Sequence, residues 1–389
     1  MWTGDLTYND LVTSALGNIK NLQEFIDDVF AEKYNGLQLD GFRFAPEMQV
    51  DYTYEQIEKT LGLNVMATYV DIDSPGTPIS MDGFTLTTGK IPRMKKRAEY
   101  DENEMRKIMV LQERFGNTSL RSINAAKRTL FDVTDKLIGS HTNSMTYQRH
   151  QMISKGQLEI TSTNNPAGIA SVTFSASVPA ANKTTLTGNY KWWADATHAA
   201  EGSSSDPIKD LRAKRRAMEQ KNVISMHMEI DSLTFEDLLG HSAVKKAIGY
   251  HIQPLAGSDT IASAIAVNAG FDAQKAVLEK LIGCRIVPID SIVAVEKFDK
   301  ATMALAQTQI RAFSPDVCVF VPDGLLGEVK TVEPVKLPLT NGTYADYYGG
   351  RLLMTVDFNI LRKIQYIETE MTSLVVPDKP KYMMYLTVL

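Results

Sequence analysis

A chain of 389 residues is long enough to bury a sizeable core and to form two domains or one large mixed domain. Its 44% hydrophobic and 22% charged residues exclude a disordered or fibrous protein, and a net charge of −5 excludes wrapping of nucleic acid by the whole chain. No apolar run reaches transmembrane length, and the start MWTGDLTYND lacks the basic and apolar regions of a secretion signal, so a cytosolic protein is expected. Cys284 and Cys318 sit in apolar strand-like runs as buried free thiols, too few for a disulfide framework.

Residues 5–32 place Leu11, Ala15, Leu16, Ile19, Leu22, Phe25, Ile26 and Val29 three and four apart. That is the period of one amphipathic helix or a bent pair, whose apolar face needs a partner surface. Residues 65–90 alternate strand formers with turn signals at Ser74-Pro75-Gly76 and Asp82-Gly83. The pattern predicts a long two-stranded hairpin that buries little of itself, and so is either disordered or laid on another chain.

Arg93, Lys95, Lys96 and Arg97 then meet an acidic run containing Glu99, Asp101 and Glu102. A solvated charged face fits this composition, and so does an intersubunit ion-pairing surface that sets register and encounter rate. No aromatic residues interleave as a nucleic-acid site would require. Residues 119–155 are the longest helical candidate, with Leu120, Ile123, Leu130, Leu137, Met145 and Met152 in step and Gly156 as the stop. Unbroken, the helix would span about 55 Å; a break near Gly139 would give two ordinary helices. Strand composition returns over 157–186, with a turn at Asn164-Asn165-Pro166 and period two at Val172, Phe174 and Ala176.

Residues 191–249 carry the most ordered series of signals. Trp192 and Trp193 precede a Gly-Ser loop; Asp206 is an N-cap, Pro207 the first helical residue, and Ile208, Leu211, Arg215 and Met218 one helical face. After Asn222 the period becomes two, with Ile224, Met226 and Met228 on one side and Val223, Ser225 and His227 on the other. A short helix over 233–239 ends at Gly240, and Ser242 caps another. Beyond it, 258–270 reads as a loop or short helix, 271–282 as a helix stopped by Gly283, and 285–289, 292–295 and 317–322 as strands. The C-terminal 50 residues are β-rich, with strands on either side of a turn at 377–380.

The order of these pieces resembles the major capsid proteins of tailed bacteriophages, closest to the lambda-type capsid protein E family. The resemblance is carried by Trp192 or Trp193, by Asp206-Pro207-Ile208-Lys209-Asp210-Leu211, by the strand 222–228 and by His241-Ser242-Ala243-Val244-Lys245, where Ser242 stands in place of a common Pro. It implies an α+β fold of the Hong Kong 97 type. The expected divisions are an N-terminal arm and lead-in (1–63), an extended loop hairpin (64–116), a peripheral domain with a spine helix (117–205), an axial domain (206–338) and strands returning to the peripheral domain (339–389). It further implies a virion shell of homo-pentamers and homo-hexamers, assembled in the host bacterial cytoplasm. The shell would enclose double-stranded DNA without sequence-specific binding; portal, scaffold or decoration proteins are possible partners, and no membrane or cofactor is implied. Intersubunit contact candidates are Arg93, Lys95, Lys96, Arg97, Glu99, Asp101 and Glu102. The alternatives are an encapsulin-like nanocompartment shell and, from another class, a soluble α/β enzyme.

Signals of catalysis are weak. The six histidines show no metal-ligand spacing, and neither a nucleophile elbow nor a phosphate-binding glycine loop occurs. His198 with Asp195 is the nearest approach to a ligand pair; a structural histidine beside the tryptophans is the other reading. Glu229 and Asp231 are acid–base candidates only if a pocket accompanies them. No enzymatic activity is expected.

Overall fold

The computed structural model describes residues 39–59, 84–100, 120–166, 172–299, 304–338, 343–359 and 364–389. The helix expected over 5–32, most of the hairpin expected over 65–90, and Asp101 and Glu102 lie outside them. The described elements begin with β1 (Phe42–Phe44), β2 (Thr53–Lys59), β3 (Phe84–Lys90), β4 (Arg93–Tyr100), α1 (Leu120–Lys155), β5 (Gln157–Ile160), β6 (Val172–Ser175) and β7 (Lys183–Thr185). Next come α2 (Pro207–Glu219), β8 (Met226–Asp231), α3 (Ser232–Gly240), α4 (Ser242–Ile252), α5 (Asp259–Asn268), α6 (Phe271–Ile282), β9 (Arg285–Ile289), β10 (Ile292–Asp299) and β11 (Ala304–Arg311). The chain ends with β12 (Val317–Pro322), β13 (Gly327–Val332), β14 (Thr343–Tyr347), β15 (Leu352–Asn359), β16 (Ile364–Pro377) and β17 (Met384–Thr387). Helices and largely antiparallel strands are intermixed, so the fold is α+β.

The chain divides into two compact units, one of Met1–Tyr54, Gly89–Thr146 and Glu328–Val375, the other of Glu55–Thr88, Tyr147–Gly327 and Val376–Leu389. In the first, the sheet runs β1-β13-β16-β15-β14, and β4 also pairs with β16. The 14-residue β16 is the common rail: Arg93↔Thr372 to Tyr100↔Gln365 on one ladder, Leu352↔Met371 to Asn359↔Ile364 on the other, both antiparallel. Period two sorts its side chains. Ile367, Thr369 and Met371 are buried, with His141 Nε2 of α1 3.0 Å from Thr369 Oγ1, while Glu368 and Glu370 alternate with them on the opposite face.

α1 is one unbroken helix of 36 residues that passes through Gly139, which settles the choice between one helix and two. Its weak helix formers are satisfied locally: the hydroxyls of Ser140, Thr142, Ser144 and Thr146 donate to the carbonyls of Leu137, Ile138, Ser140 and Thr142. Phe84–Lys90 is a strand as expected, but its partner is Thr53–Lys59, a segment whose mixed pattern gave no strand signal.

The second unit holds the sheet β7-β17-β12-β8-β9. Residues 223–228 differ from the expected half-buried alternation: β8 begins at Met226, and all six of its residues are buried, whereas Ile224 is 83% exposed. The cause is position. β8 lies between β12 and β9, and a central strand covered on both faces loses the alternating signal. On one face, Met228, Ile230, Phe320, Met384 and Leu386 pack with Trp192, Trp193 and α2–α6 residues in a single apolar core. The edges are short and awkward for pairing: β9 contains Pro288, which has no N–H to give, and β7 is three residues long with an exposed Lys183.

Local capping is as read at two points. The Asp206 carboxylate accepts from Lys209 N–H with Pro207 in the first turn, and Gly283 takes the left-handed φ of +84° that ends α6. It differs at a third: His241, not Ser242, caps α4, its Nδ1 accepting from Ala243 N–H, while Ser242 Oγ donates to Glu201. Residues 259–268, left open as a loop or a helix, form α5. It crosses α4 so closely that a Cβ on Gly249 would fall 1.8 Å from the Ala262 carbonyl oxygen. Gly249→Ala is therefore expected to lower stability by about 1–3 kcal/mol through overpacking. Gly240→Ala, where nothing lies within 4 Å, should stay within about 0.5 kcal/mol of the parent. Urea denaturation of the two variants checks the difference.

Candidate functional site

The cationic strand β4 finds its counter-charges within its own sheet. Arg93 lies 2.5 Å from Glu370, and Lys95 lies 2.8 Å from Glu368 and 3.0 Å from Glu370. Arg97 pairs with Glu99 at 2.7 Å and stacks over the Tyr366 ring at 4.2 Å. The acceptor bonds outweigh burial and hold Glu370 below the usual carboxylate range. Sequence reading placed these cations next to the acids that follow them; β-pairing adds Glu368 and Glu370, some 270 residues away. The cations nevertheless remain exposed, as does Lys96.

In the second unit a line of polar groups crosses the sheet. Arg149 of α1 meets Glu229 of β8 through two parallel bonds of 2.7 and 2.5 Å, with side chains only 4% and 1% exposed. His227 Nε2 is 3.4 Å from Glu229, its Nδ1 is 2.6 Å from Asp323, and Asp323 also accepts from Ser225 Oγ. Burial alone would raise the Glu229 pKa, but the Arg149 charge and these bonds bring it down to about 2. For His227 burial is likewise overcome by its two carboxylate neighbours, and its pKa rises. Glu229 is thus the anion of a structural ion pair. Asp231 caps α3 and binds Arg311 at 2.7 Å, at the base of the β10–β11 ribbon. Neither has the geometry of an acid–base pair.

Trp192 and Trp193 are buried edge to face, ring centroids 5.7 Å apart, and Trp192 Nε1 donates to Asp210. His198 stacks on Trp193 at 4.2 Å and lies 2.5 Å from Asp237 and 2.8 Å from Asp316. Asp195 faces its own turn instead, accepting from Thr197 Oγ1 and Ala199 N–H. His198 is therefore a latch over the tryptophans, and among the described residues no group of His, Cys, Asp and Glu is arranged to hold a metal.

Each unit also leaves large apolar side chains exposed. At the corner joining α4 to α5, Tyr250, Ile252, Leu255 and Ile261 are exposed, Leu255 to 91%. The corner is fixed by Asp259, which takes a bond from Tyr250 OH and pairs with Lys246. In the first unit Val50, Val335 and Leu337 are exposed, Val50 to 87%. The antiparallel ribbon β10–β11 forms a two-stranded sheet of its own. Clustered exposed apolar side chains and an unaccompanied ribbon are features of a protein that completes its burial with another chain. Sequence periodicity could not find them, because α5 and β11 carry small or polar residues without a clear stripe.

A family model described as phage major capsid protein E matches residues 29–388. The chain belongs to that family. It is a shell-forming capsid protein, and the expectation drawn from the order of its motifs holds. Among solved structures similar to this phage capsid protein is the mature capsid of bacteriophage PhiM1, at 9% identity and TM-score 0.44, covering 91% of this chain and 87% of that one. Another is the capsid of cyanophage P-SCSP1u, at 11% identity and TM-score 0.43, covering 93% and 94%. No curated protein matches the chain.

His141 and His150 are both held neutral by burial, their pKa values lowered to about 4. An unfolded histidine protonates near 6.5, so below that pH the unfolded chain takes up protons that the folded chain refuses. Stability should fall as pH drops from about 6.5 to about 4, by up to about 1.4 kcal/mol per pH unit for each histidine. Glu229 adds a loss below about 4.5, whereas the His227 contribution has the opposite sign and fades as pH rises above about 6.5. Denaturant titrations at pH 6.5, 5.5 and 4.5 should give a shallower slope for His150→Gln than for the parent; equal slopes would refute the assignment.

Proposed function

We propose that this capsid protein assembles as homo-pentamers and homo-hexamers into an icosahedral shell of the Hong Kong 97 type, closed around double-stranded DNA in the host cytoplasm. The observation that supports the reading is the apolar corner between α4, capped by His241, and α5, capped by Ser258, where Tyr250, Ile252, Leu255 and Ile261 are exposed. Burial at about 25 cal/mol per Å² drives such surfaces together, and closed symmetry lets each subunit cover all of its own. The segment 206–338 takes the axial role at the centre of each ring, and the segments around α1 and β16 the peripheral one. The 64–116 region serves as the extended loop across a neighbour. Arg93, Lys95, Lys96, Arg97 and Glu99, with Asp101 and Glu102, form the rim of the subunit contact. Charges there set encounter rate and register, because exposed pairs contribute little net affinity. The role is structural, without catalysis.

Negative-stain microscopy with light scattering on the full chain tests the reading. Closed shells or five- and six-membered rings are expected; a uniform particle of one to four subunits overturns it. Shells that carry an enzyme and no DNA would indicate a cellular compartment. Two variants refine the test. Leu255→Asp together with Ile261→Asp should leave a folded subunit that forms no rings. Lys95→Glu with Arg97→Glu should slow assembly several-fold at low salt and much less at high salt, as screening predicts.

A further inference from the structure

The two faces of α2 differ sharply. Pro207, Ile208, Leu211 and Met218 are buried, while Lys209, Arg212, Ala213, Arg216, Glu219 and Gln220 are exposed. Lys209, then Arg212 with Ala213, then Arg216 follow one another turn by turn on the outer face, over about 10 Å of helix axis. Two arginines are tied to the end of α6. Arg212 Nε donates to the Leu281 carbonyl at 2.6 Å, and Arg215 Nη1 donates to the Gly283 carbonyl at 3.5 Å.

The charge of this face is not cancelled by its neighbours. A carbonyl at a helix end carries only a partial negative charge, so the bond to Leu281 orients the Arg212 guanidinium and leaves it cationic. Among the described residues no carboxylate lies within 4 Å of the Lys209 ammonium or of the Arg212 and Arg216 guanidinium groups. The acids of the same stretch have other partners. Asp206 accepts from Lys209 N–H as the N-cap, Asp210 accepts from Trp192 Nε1, and Glu219 pairs with Arg215 at 3.3 Å. From Asp206 to Lys221 six cations stand against three acids, a positive stretch in a chain whose net charge is −5.

We infer that the outer face of α2 binds the phosphodiester backbone of double-stranded DNA, and that this side of the second unit is the lumenal one. The inference rests on the proposed DNA-enclosing shell. Two arginine forks and a lysine on successive turns meet phosphate oxygens along a strand without reading bases. A protein partner would need large apolar or aromatic anchors at the centre of its contact, and the exposed positions of α2 offer none.

The test is fluorescence anisotropy of a 20-base-pair duplex with the full-length protein, kept below its assembly concentration, across a salt series. The parent is compared with Lys209→Gln/Arg212→Gln/Arg216→Gln, with Arg212→Lys/Arg216→Lys, with Ala213→Glu, and with Lys275→Gln of α6 as a control. The Gln triple should weaken binding at least tenfold at low salt and lower the salt slope by about 2.7, at about 0.9 per cation. Ala213→Glu removes no bond and keeps a good helix former, yet sets an anion among the three cations. It should weaken binding several-fold with an unchanged denaturation midpoint, which separates lost charge from lost folding. The Lys double and the control should keep the parent slope. An unchanged slope in the Gln triple overturns the inference, as does parental binding by Ala213→Glu. Polyglutamate competing through this face as well as DNA does also overturns it, and would assign the face to an acidic protein. Microscopy above the assembly concentration keeps the two readings separate: shells from a parent without α2-dependent DNA binding refute this one alone, and α2-dependent DNA binding without shells refutes the assembly reading.

Discussion

The second unit is arranged around one carboxylate that has been taken out of water. Glu229 occupies the middle of the central strand β8, where an uncompensated charge would be expelled by its desolvation cost. Arg149 answers it from the adjacent helix with a two-bond fork, and His227 and Asp323 carry the line of polar contacts out toward the surface. Such a pair adds little net stability over a well-packed apolar one. Its geometric demand is strict, since one residue of slip in α1 or β8 would bury a lone charge. The pair therefore fixes how the C-terminal end of α1 is seated on its sheet.

Other features of that unit follow from this seating. The N–H of Gly156 bonds the Met152 carbonyl, and its carbonyl accepts from Ala176 as the chain leaves the β5–β6 hairpin. Gln151 donates to the carbonyl of Ala312, and Phe313 meets His150 edge to face, so the segment between the ribbon and β12 is anchored to the same stretch of helix. Arg311 binds the carboxylate that caps α3. The ribbon is thus tied at its root to the helices of its own unit.

The sequence was most legible where structure is set by neighbours along the chain. Asp206-Pro207 and Gly283 announced a helix start and a helix stop because capping is a matter of three or four residues. The full length of α1 was harder, since Gly139 lowers helix propensity and only hydroxyl back-bonding and burial against β16 explain its passage. Arg149 and Glu229 stand 80 residues apart, and Lys95 and Glu370 still farther; no local pattern links them. Residues 304–311, ALAQTQIR, read as neither strand nor core because their partner is a single facing strand. The capsid family was legible as an order of motifs, not as chemistry. The exposed apolar residues, such as Leu255 and Ile261, are ordinary in sequence and distinctive only by their exposure.

The two edges of the five-stranded sheet bear on the life of such a protein before it is assembled. A capsid subunit is made in many copies in one compartment, and sheet edges in crowded solution recruit one another without regard to symmetry. Pro288 removes a donor from one edge, and the shortness and charge of β7 discourage a guest strand at the other. Random polymerisation is thereby suppressed in favour of faces that can close. The fidelity of a shell depends as much on the contacts such strands refuse as on those its subunits make.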